Sequence, residues 1–95
     1  MANPMHRPEY TLFREMLTAA RIDKGMLQSE VAEALDKNQS YVSKYERGER
    51  RLDFVEFLEV AAALNVNVSE FLKHYSKARE KLQKSGASSK GIVSA

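Results

Sequence analysis

The sequence predicts an all-α domain, a compact bundle of five short helices, on three observations. Apolar residues recur at spacings of three and four in five separate stretches. Between those stretches stand the residue types that open and close helices: Asn, Asp, Gly and short polar turns. Period-two alternation and Asn-Gly or Asp-Gly hairpin signals are absent from the sequence.

Residues 1–8 carry two prolines, Pro4 and Pro8, and no apolar period, which reads as a flexible N-terminal arm. The first helix begins at Glu9. Phe13, Met16, Leu17 and Ala20, with Leu12 beside them, form its inward stripe. Gly25 closes it at the position after the cap, with Lys24 near its negative end. The second helix runs from Gln28 to Leu35, with Val31, Ala32 and Leu35 inward and Glu30 and Glu33 outward. Asp36-Lys37-Asn38 is a tight polar connection. Asn38 is a good N-cap for a third helix from Gln39 to about Arg47, which Gly48 closes.

Glu49-Arg50-Arg51 forms a basic loop. The fourth helix has the clearest start: Asp53 caps, Glu56 reaches back, and Leu52 staples onto Phe57. Its apolar positions are Phe54, Phe57, Leu58, Ala61, Ala62 and Leu64. Asn65-Val66-Asn67 is a turn, and Asn67 with Glu70 repeats the capping pattern. The fifth helix carries Phe71, Leu72, Tyr75, Ala78 and Leu82. The folded domain is therefore expected over 9–83, with a Ser- and Gly-rich flexible C-terminal tail over 84–95.

Ninety-five residues make one domain with one modest core. A chain of this size buries roughly 60–65% of its unfolded surface, which leaves little for an enclosed substrate cavity. There is no cysteine, so disulfides and thiolate metal sites are excluded. His6 and His74 have no carboxylate at catalytic spacing, and Met1, Met5, Met16 and Met26 are not a metal cluster. No nucleophile–base pair or phosphate-cradling glycine loop occurs. The expectation is a non-enzyme with no cofactor and no metal. No apolar run approaches the ~20 residues of a membrane span. The first eight residues lack a signal-peptide core. A cytoplasmic location without membrane contact is expected.

The formal net charge is only +2, but its distribution is uneven. Residues 37–51 hold Lys37, Lys44, Arg47, Arg50 and Arg51 against Glu46 and Glu49, a local net charge of +3. Charge concentrated in one segment is the electrostatic footprint of a nucleic-acid partner, and also that of a solvated basic loop.

The second and third helices are short and joined by a tight turn, so they must cross steeply. Ala32 lets their backbones approach, and Val31, Leu35, Val42 and Tyr45 form the seam. The outer face of the third helix is then Gln39, Ser40, Ser43 and Lys44, with Tyr41 and Arg47 at its edges. Such a face suits the major groove of double-stranded DNA. Glutamine pairs with adenine, lysine donates to guanine, serine contacts several base edges, and an aromatic ring touches the thymine methyl. Arg50 and Arg51 read either as phosphate contacts or as solvated loop charges.

The run from Gln28 to Leu35, followed by Gln39-Ser40-Tyr41-Val42-Ser43-Lys44-Tyr45-Glu46-Arg47-Gly48, resembles the phage Cro/C1-repressor (XRE-like) helix-turn-helix family. The likeness extends from about Tyr10 to Tyr75. It implies a lambda-repressor-like DNA-binding domain with the third helix as recognition helix. By the resemblance, Gln28 grips a phosphate and braces the first recognition residue, and Gln39, Ser40 and Lys44 contact bases. Ser43 and Tyr41 hold edge positions for phosphate or a base methyl, and Arg21 forms a partly buried ion pair with Glu46. The chain departs from the family at Asp36, where glycine is usual, and at Leu27, where a capping Ser or Thr is usual. Both departures bear on stability and leave the recognition face untouched.

The resemblance implies a transcriptional regulator, a repressor in the leading reading, acting as a homodimer on a near-palindromic operator. Phe71, Tyr75, Ala78 and Leu82 recur at four, three and four, a candidate dimer stripe. The alternative for that stripe is that Phe71 and Leu72 cap the domain's own core. A second functional class remains open, an antitoxin or protein-binding module pairing with a toxin or another regulator.

Overall fold

The computed structural model describes residues 7–86, with side chains through Gln83. The arm over 1–6 and the tail from 87 onward lie outside the described residues. Five α-helices follow in order: α1 (Pro8–Asp23), α2 (Gln28–Leu35), α3 (Gln39–Arg47), α4 (Phe54–Ala63) and α5 (Val68–Gly86). Among the described residues there is no strand. No helix there is long and apolar enough to cross a membrane.

α1 starts at Pro8 rather than Glu9 because proline fits the first helical position, where its missing N–H has no partner to lose. α5 continues to Gly86, past the Ser-Gly composition change, with Asn67 Oδ1 accepting the Glu70 N–H at 2.9 Å at its start. The first four helices stop in one way. Gly25, Asp36, Gly48 and Asn65 all take left-handed backbone, and each begins the turn that follows. At α2, Lys37 N–H returns to Ala32 O at 2.9 Å and Asp36 N–H to Glu33 O at 3.0 Å. At α3, Glu49 N–H returns to Lys44 O at 2.8 Å. Asp36 adopts φ 58°, so the non-glycine turn is accommodated in the conformation that Asp and Asn tolerate best.

The starts differ more. The Asp53–Glu56 box is complete, with Glu56 N–H on Asp53 Oδ1 at 2.7 Å and Asp53 N–H on Glu56 Oε1 at 2.9 Å. Leu27 has no side chain to cap α2, and Glu30 supplies the other half by accepting the Leu27 N–H at 2.8 Å. Asn38 occupies the cap position of α3 with extended backbone, but its side chain does not cap. Its Oδ1 accepts the Ser40 hydroxyl at 2.7 Å instead, because that hydroxyl reaches the same oxygen.

The core gathers Leu17 of α1, Val31 and Ala32 of α2, Val42 and Tyr45 of α3, then Leu52, Phe57, Val60, Ala61, Leu64 and Phe71. An aromatic group ties α1 to α4 and α5. The Phe13 ring meets Phe57 edge-on at 5.3 Å and Phe71 at 6.1 Å, and Phe57 lies 5.3 Å from Phe71. The inward arc of α4 is rotated from the one the spacing suggests. Val60 is buried, whereas Phe54 is 67% and Leu58 38% exposed. α4 is apolar around most of its circumference, so periodicity alone does not select an arc. Leu72, on α5, is also exposed.

The four–three–four stripe of α5 faces α1 of the same chain. Phe71 is 6% exposed inside the aromatic group. Tyr75 packs on Phe13 and donates its hydroxyl to Glu9 O at 3.0 Å. Ala78 and Leu82 line a shallow groove with Leu12 and Thr11 of α1. The physical reason is that the N-terminal half of α1 presents an apolar surface at the right distance, so Phe71 is buried and Tyr75 engaged within the chain, while Ala78 and Leu82 stay half-buried.

Candidate nucleic-acid interface

α2 and α3 form the tight pair in which Val31, Ala32, Val42 and Tyr45 are all buried. With Val42 and Tyr45 turned inward, helical geometry turns Gln39, Ser40, Lys44 and Arg47 outward. Gln39, Ser40, Lys44 and Arg47 are exposed, and Tyr41 and Ser43 are half-buried at the edges. The face is therefore amide, hydroxyl and cation, with the apolar seam directly behind it.

Gln39 is not free to wander. Its Nε2 donates to Gln28 Oε1 at 3.3 Å, and Gln28 Nε2 donates to Glu46 Oε1 at 2.9 Å. Glu46 in turn receives Arg21 in two-pronged fashion, Nε to Oε2 at 2.7 Å and Nη2 to Oε1 at 3.1 Å. Arg21 Nη1 also donates to Met26 O at 2.8 Å. The hydrogen bond that Arg21 donates to Glu46 raises the Arg21 pKa further above its ordinary value, against the opposing effect of burial. A chain of polar contacts thus runs from the interior to the exposed amide of Gln39.

The same Glu46 is held a second time, through its backbone. Arg14 of α1 donates Nη1 to Glu46 O at 2.6 Å. Its guanidinium lies over Gly48, where an added Cβ would come within 2.8 Å of Arg14 Nε. Arg14 carries a signal the resemblance does not contain: it stands seven residues before Arg21, two turns along the same face of α1.

Cations around the face have local partners. Arg47 contacts the Ser43 hydroxyl and pairs with Glu49 at 2.9 and 3.0 Å, fully in solvent. The Arg47 hydrogen bond holds the Glu49 carboxyl below its usual range. Arg50 pairs with Glu56 at 2.5 Å and lies 4.8 Å above the Tyr41 ring, while Lys37 approaches that ring at 5.2 Å. Burial pushes the Tyr41 phenol upward, and burial pushes that of Tyr45 well above its ordinary range. Both rings therefore stay neutral at physiological pH. Arg51 rests 5.2 Å over Tyr10 of α1, and the Tyr10 hydroxyl accepts the Leu52 N–H at 3.0 Å. Sequence spacing does not single out Tyr10 for these contacts, because it joins segments about forty residues apart in the chain. Lys44 is exposed and forms no ion pair among the described residues. Among the described residues, no group of three His, Asp or Glu side chains is placed to hold a metal ion.

Comparison with known proteins agrees with the helix-turn-helix fold. The helix-turn-helix family profile matches residues 17–71. No curated protein matches the chain. Among solved structures, the chain is similar to an XRE-family-like protein from Pseudomonas syringae pv. tomato, 33% identical, covering 77% of this chain and 91% of that one, with a TM-score of 0.71. It is similar to the restriction-modification controller protein C.AhdI from Aeromonas hydrophila, 32% identical over 70% of this chain and 99% of that one, TM-score 0.59. It also shares its fold with the controller protein C.Esp1396I, solved as a tetramer on its natural 35-base-pair operator, 22% identical over 76% and 95% of the two chains, TM-score 0.70.

Proposed function

Since this chain belongs to the helix-turn-helix family of DNA-binding transcription regulators, of the XRE (Cro/C1) type, we propose that it reads a near-palindromic operator as a homodimer in the cytoplasm and represses transcription there. The observation that carries this reading is the exposed Gln39 amide, aimed through Gln28 from the buried Arg21–Glu46 pair. A base-reading group must be held within a fraction of an ångström of its target, and a braced side chain meets that demand.

In this reading α3 enters the major groove. Gln39, Ser40 and Lys44 contact base edges, and Tyr41 offers its ring to a thymine methyl. Gln28, Ser43, Arg47, Arg50 and Arg51 neutralise or bind phosphates, which set register and supply most of the affinity. The first turn of α3 has no acidic residue and no side-chain cap, so the Gln39 and Ser40 N–H groups remain available to a phosphate, while the Tyr41 N–H already donates to Asn38 O at 3.1 Å.

The dimer surface follows from what the fold leaves uncovered. Phe71 and Tyr75 are occupied inside the chain, whereas Phe54, Val55 and Leu58 of α4 and Leu72 of α5 are exposed. Phe54 and Leu72 border an open groove of about 480 Å³ lined also by Tyr10, Phe57 and Tyr75. A protruding ring beside an apolar groove is self-complementary under a two-fold axis. The groove rim carries both signs, Arg51 and Arg79 with Glu9 and Asp53, so two copies can match charge as well as shape. The operator-bound tetramer belongs to the 22% identical protein, whose likeness to this chain extends to the fold.

Selection of binding sites from random duplex DNA tests the reading. The expected outcome is an inverted repeat whose half-sites lie roughly 34 Å apart, one helical turn. Failure to enrich any sequence at low salt overturns it. In light scattering, Phe54→Asp is expected to give a monomer that still binds a single half-site. A monomeric wild type, or an unchanged mass for the variant, removes the proposed surface.

A further inference from the structure

Arg14 is a costly residue at its position. It is half-buried, and its Nε is buried with no hydrogen-bond partner among the described residues. Buried polar groups are almost always satisfied, so an unsatisfied one calls for an explanation. An aliphatic residue here would pack without that penalty. What the guanidinium provides is one short contact, Nη1 to the Glu46 carbonyl at 2.6 Å. That carbonyl lies in the last turn of α3, where backbone oxygens have no intrahelical donor and the helix dipole is negative.

Resting on the DNA-reading function above, we propose that Arg14 is a positioning residue for the recognition helix. It pins the last turn of α3 to α1 by the backbone, while Arg21 pins the same residue by its side chain. The two arginines stand seven apart on α1 and converge on Glu46 from one helix face. One attachment fixes a point. Two attachments, on the main chain and on the carboxylate, also fix the rotation of α3 about that point. Rotation decides where Gln39, Ser40 and Lys44 fall against base edges, and phosphate contacts are more tolerant of it. Gly48 is part of the device, since a side chain there would displace the Arg14 guanidinium.

A merely structural residue would move two affinities together, and a positioning residue moves only one. Affinity for the selected operator should depend on Arg14, and affinity for a scrambled duplex of equal length should not. The test measures both by fluorescence anisotropy on full-length protein, with circular dichroism reporting the folded fraction. Arg14→Met keeps the stem and removes the donors. Arg14→Gln is polar but too short to reach, and Arg14→Lys keeps a donor that can reach the carbonyl. Expected is a fall of about tenfold in the operator-to-scrambled ratio for the Met and Gln variants, the scale of losing one good base contact. The Lys variant should stay within about twofold of wild type, about a third of that loss in free energy.

An unchanged ratio in a folded Met or Gln variant overturns the proposal. Equal losses on both duplexes overturn it too, making Arg14 a phosphate contact. If neither the Met nor the Gln variant folds, Arg14 is a requirement of the fold rather than of orientation, which also overturns it. A wild-type protein that does not distinguish the two duplexes is a separate result, and it refutes the DNA-reading function itself.

Discussion

Two arginine–glutamate pairs flank the last turn of α3 and have nearly the same geometry. Arg21 meets Glu46 at 2.7 and 3.1 Å, and Arg47 meets Glu49 at 2.9 and 3.0 Å. Their surroundings are opposite. The side chains of the first pair are 14% and 7% exposed, and those of the second 55% and 54%. Coulomb attraction at equal distance is several times stronger where water is excluded, and so is the penalty for breaking the pair. The buried pair therefore behaves as a structural joint. The exposed pair is a loose association that a phosphate oxygen can replace, because phosphate offers Arg47 the same two-pronged acceptor that Glu49 does.

Glu46→Ala is the severest way to test that contrast. It leaves the partly buried Arg21 without its carboxylate partner and removes the acceptor of Gln28. A loss of about 3 kcal/mol or more of unfolding free energy is expected in urea denaturation. A loss below about 1 kcal/mol, the scale of an exposed pair, would place the two pairs in one class. Gln39→Ala comes next. It should relax preference at one base-pair position and weaken operator binding by about 1–3 kcal/mol. Stability should stay within about 0.5 kcal/mol, because Gln39 is exposed. Unchanged base preference in a repeated site selection would remove Gln39 from the reading set.

Arg47→Ala should weaken binding to all duplexes alike and reduce the slope of log affinity against log salt by about one. A selective effect on the operator would make Arg47 a base reader. The smallest effect belongs to Glu49. Its carboxyl pKa is lowered by the Arg47 hydrogen bond, so its share of stability is present above the unfolded pKa. That share disappears as pH falls through the lower folded value. If phosphate takes Arg47 over, the Glu49 pKa should return upward in the complex. Carbon-detected NMR titration of Glu49, free and DNA-bound, checks this; identical values in both states would show that Arg47 keeps its intramolecular partner.

Helix ends were the most legible part of the sequence. Asp53 with Glu56, and the glycines at 25 and 48, act within a few residues of where they stand, so local chemistry specifies the stops and starts. Asp36 in the left-handed turn and the absent cap at Leu27 belong to the same local class. The outward placement of Gln39, Ser40 and Lys44 was legible too, because Val42 and Tyr45 leave α3 only one face to bury. Where local rules competed, they were less reliable. Asn38 has the right residue type for a cap, but Ser40 two residues on offers its oxygen a donor as well.

The chain by itself determined five helices, their boundaries to within about three residues, and the polar face of the third. Those follow from interactions spanning at most a few residues. Tertiary structure alone decided that Val60 rather than Leu58 enters the core, that Phe71 and Tyr75 close on α1, and that Arg14 joins Arg21 at Glu46. An apolar helix surface can be covered by any neighbour of suitable shape, and a guanidinium can serve any acceptor within reach. Which neighbour and which acceptor depend on how distant segments pack, and no local pattern encodes that.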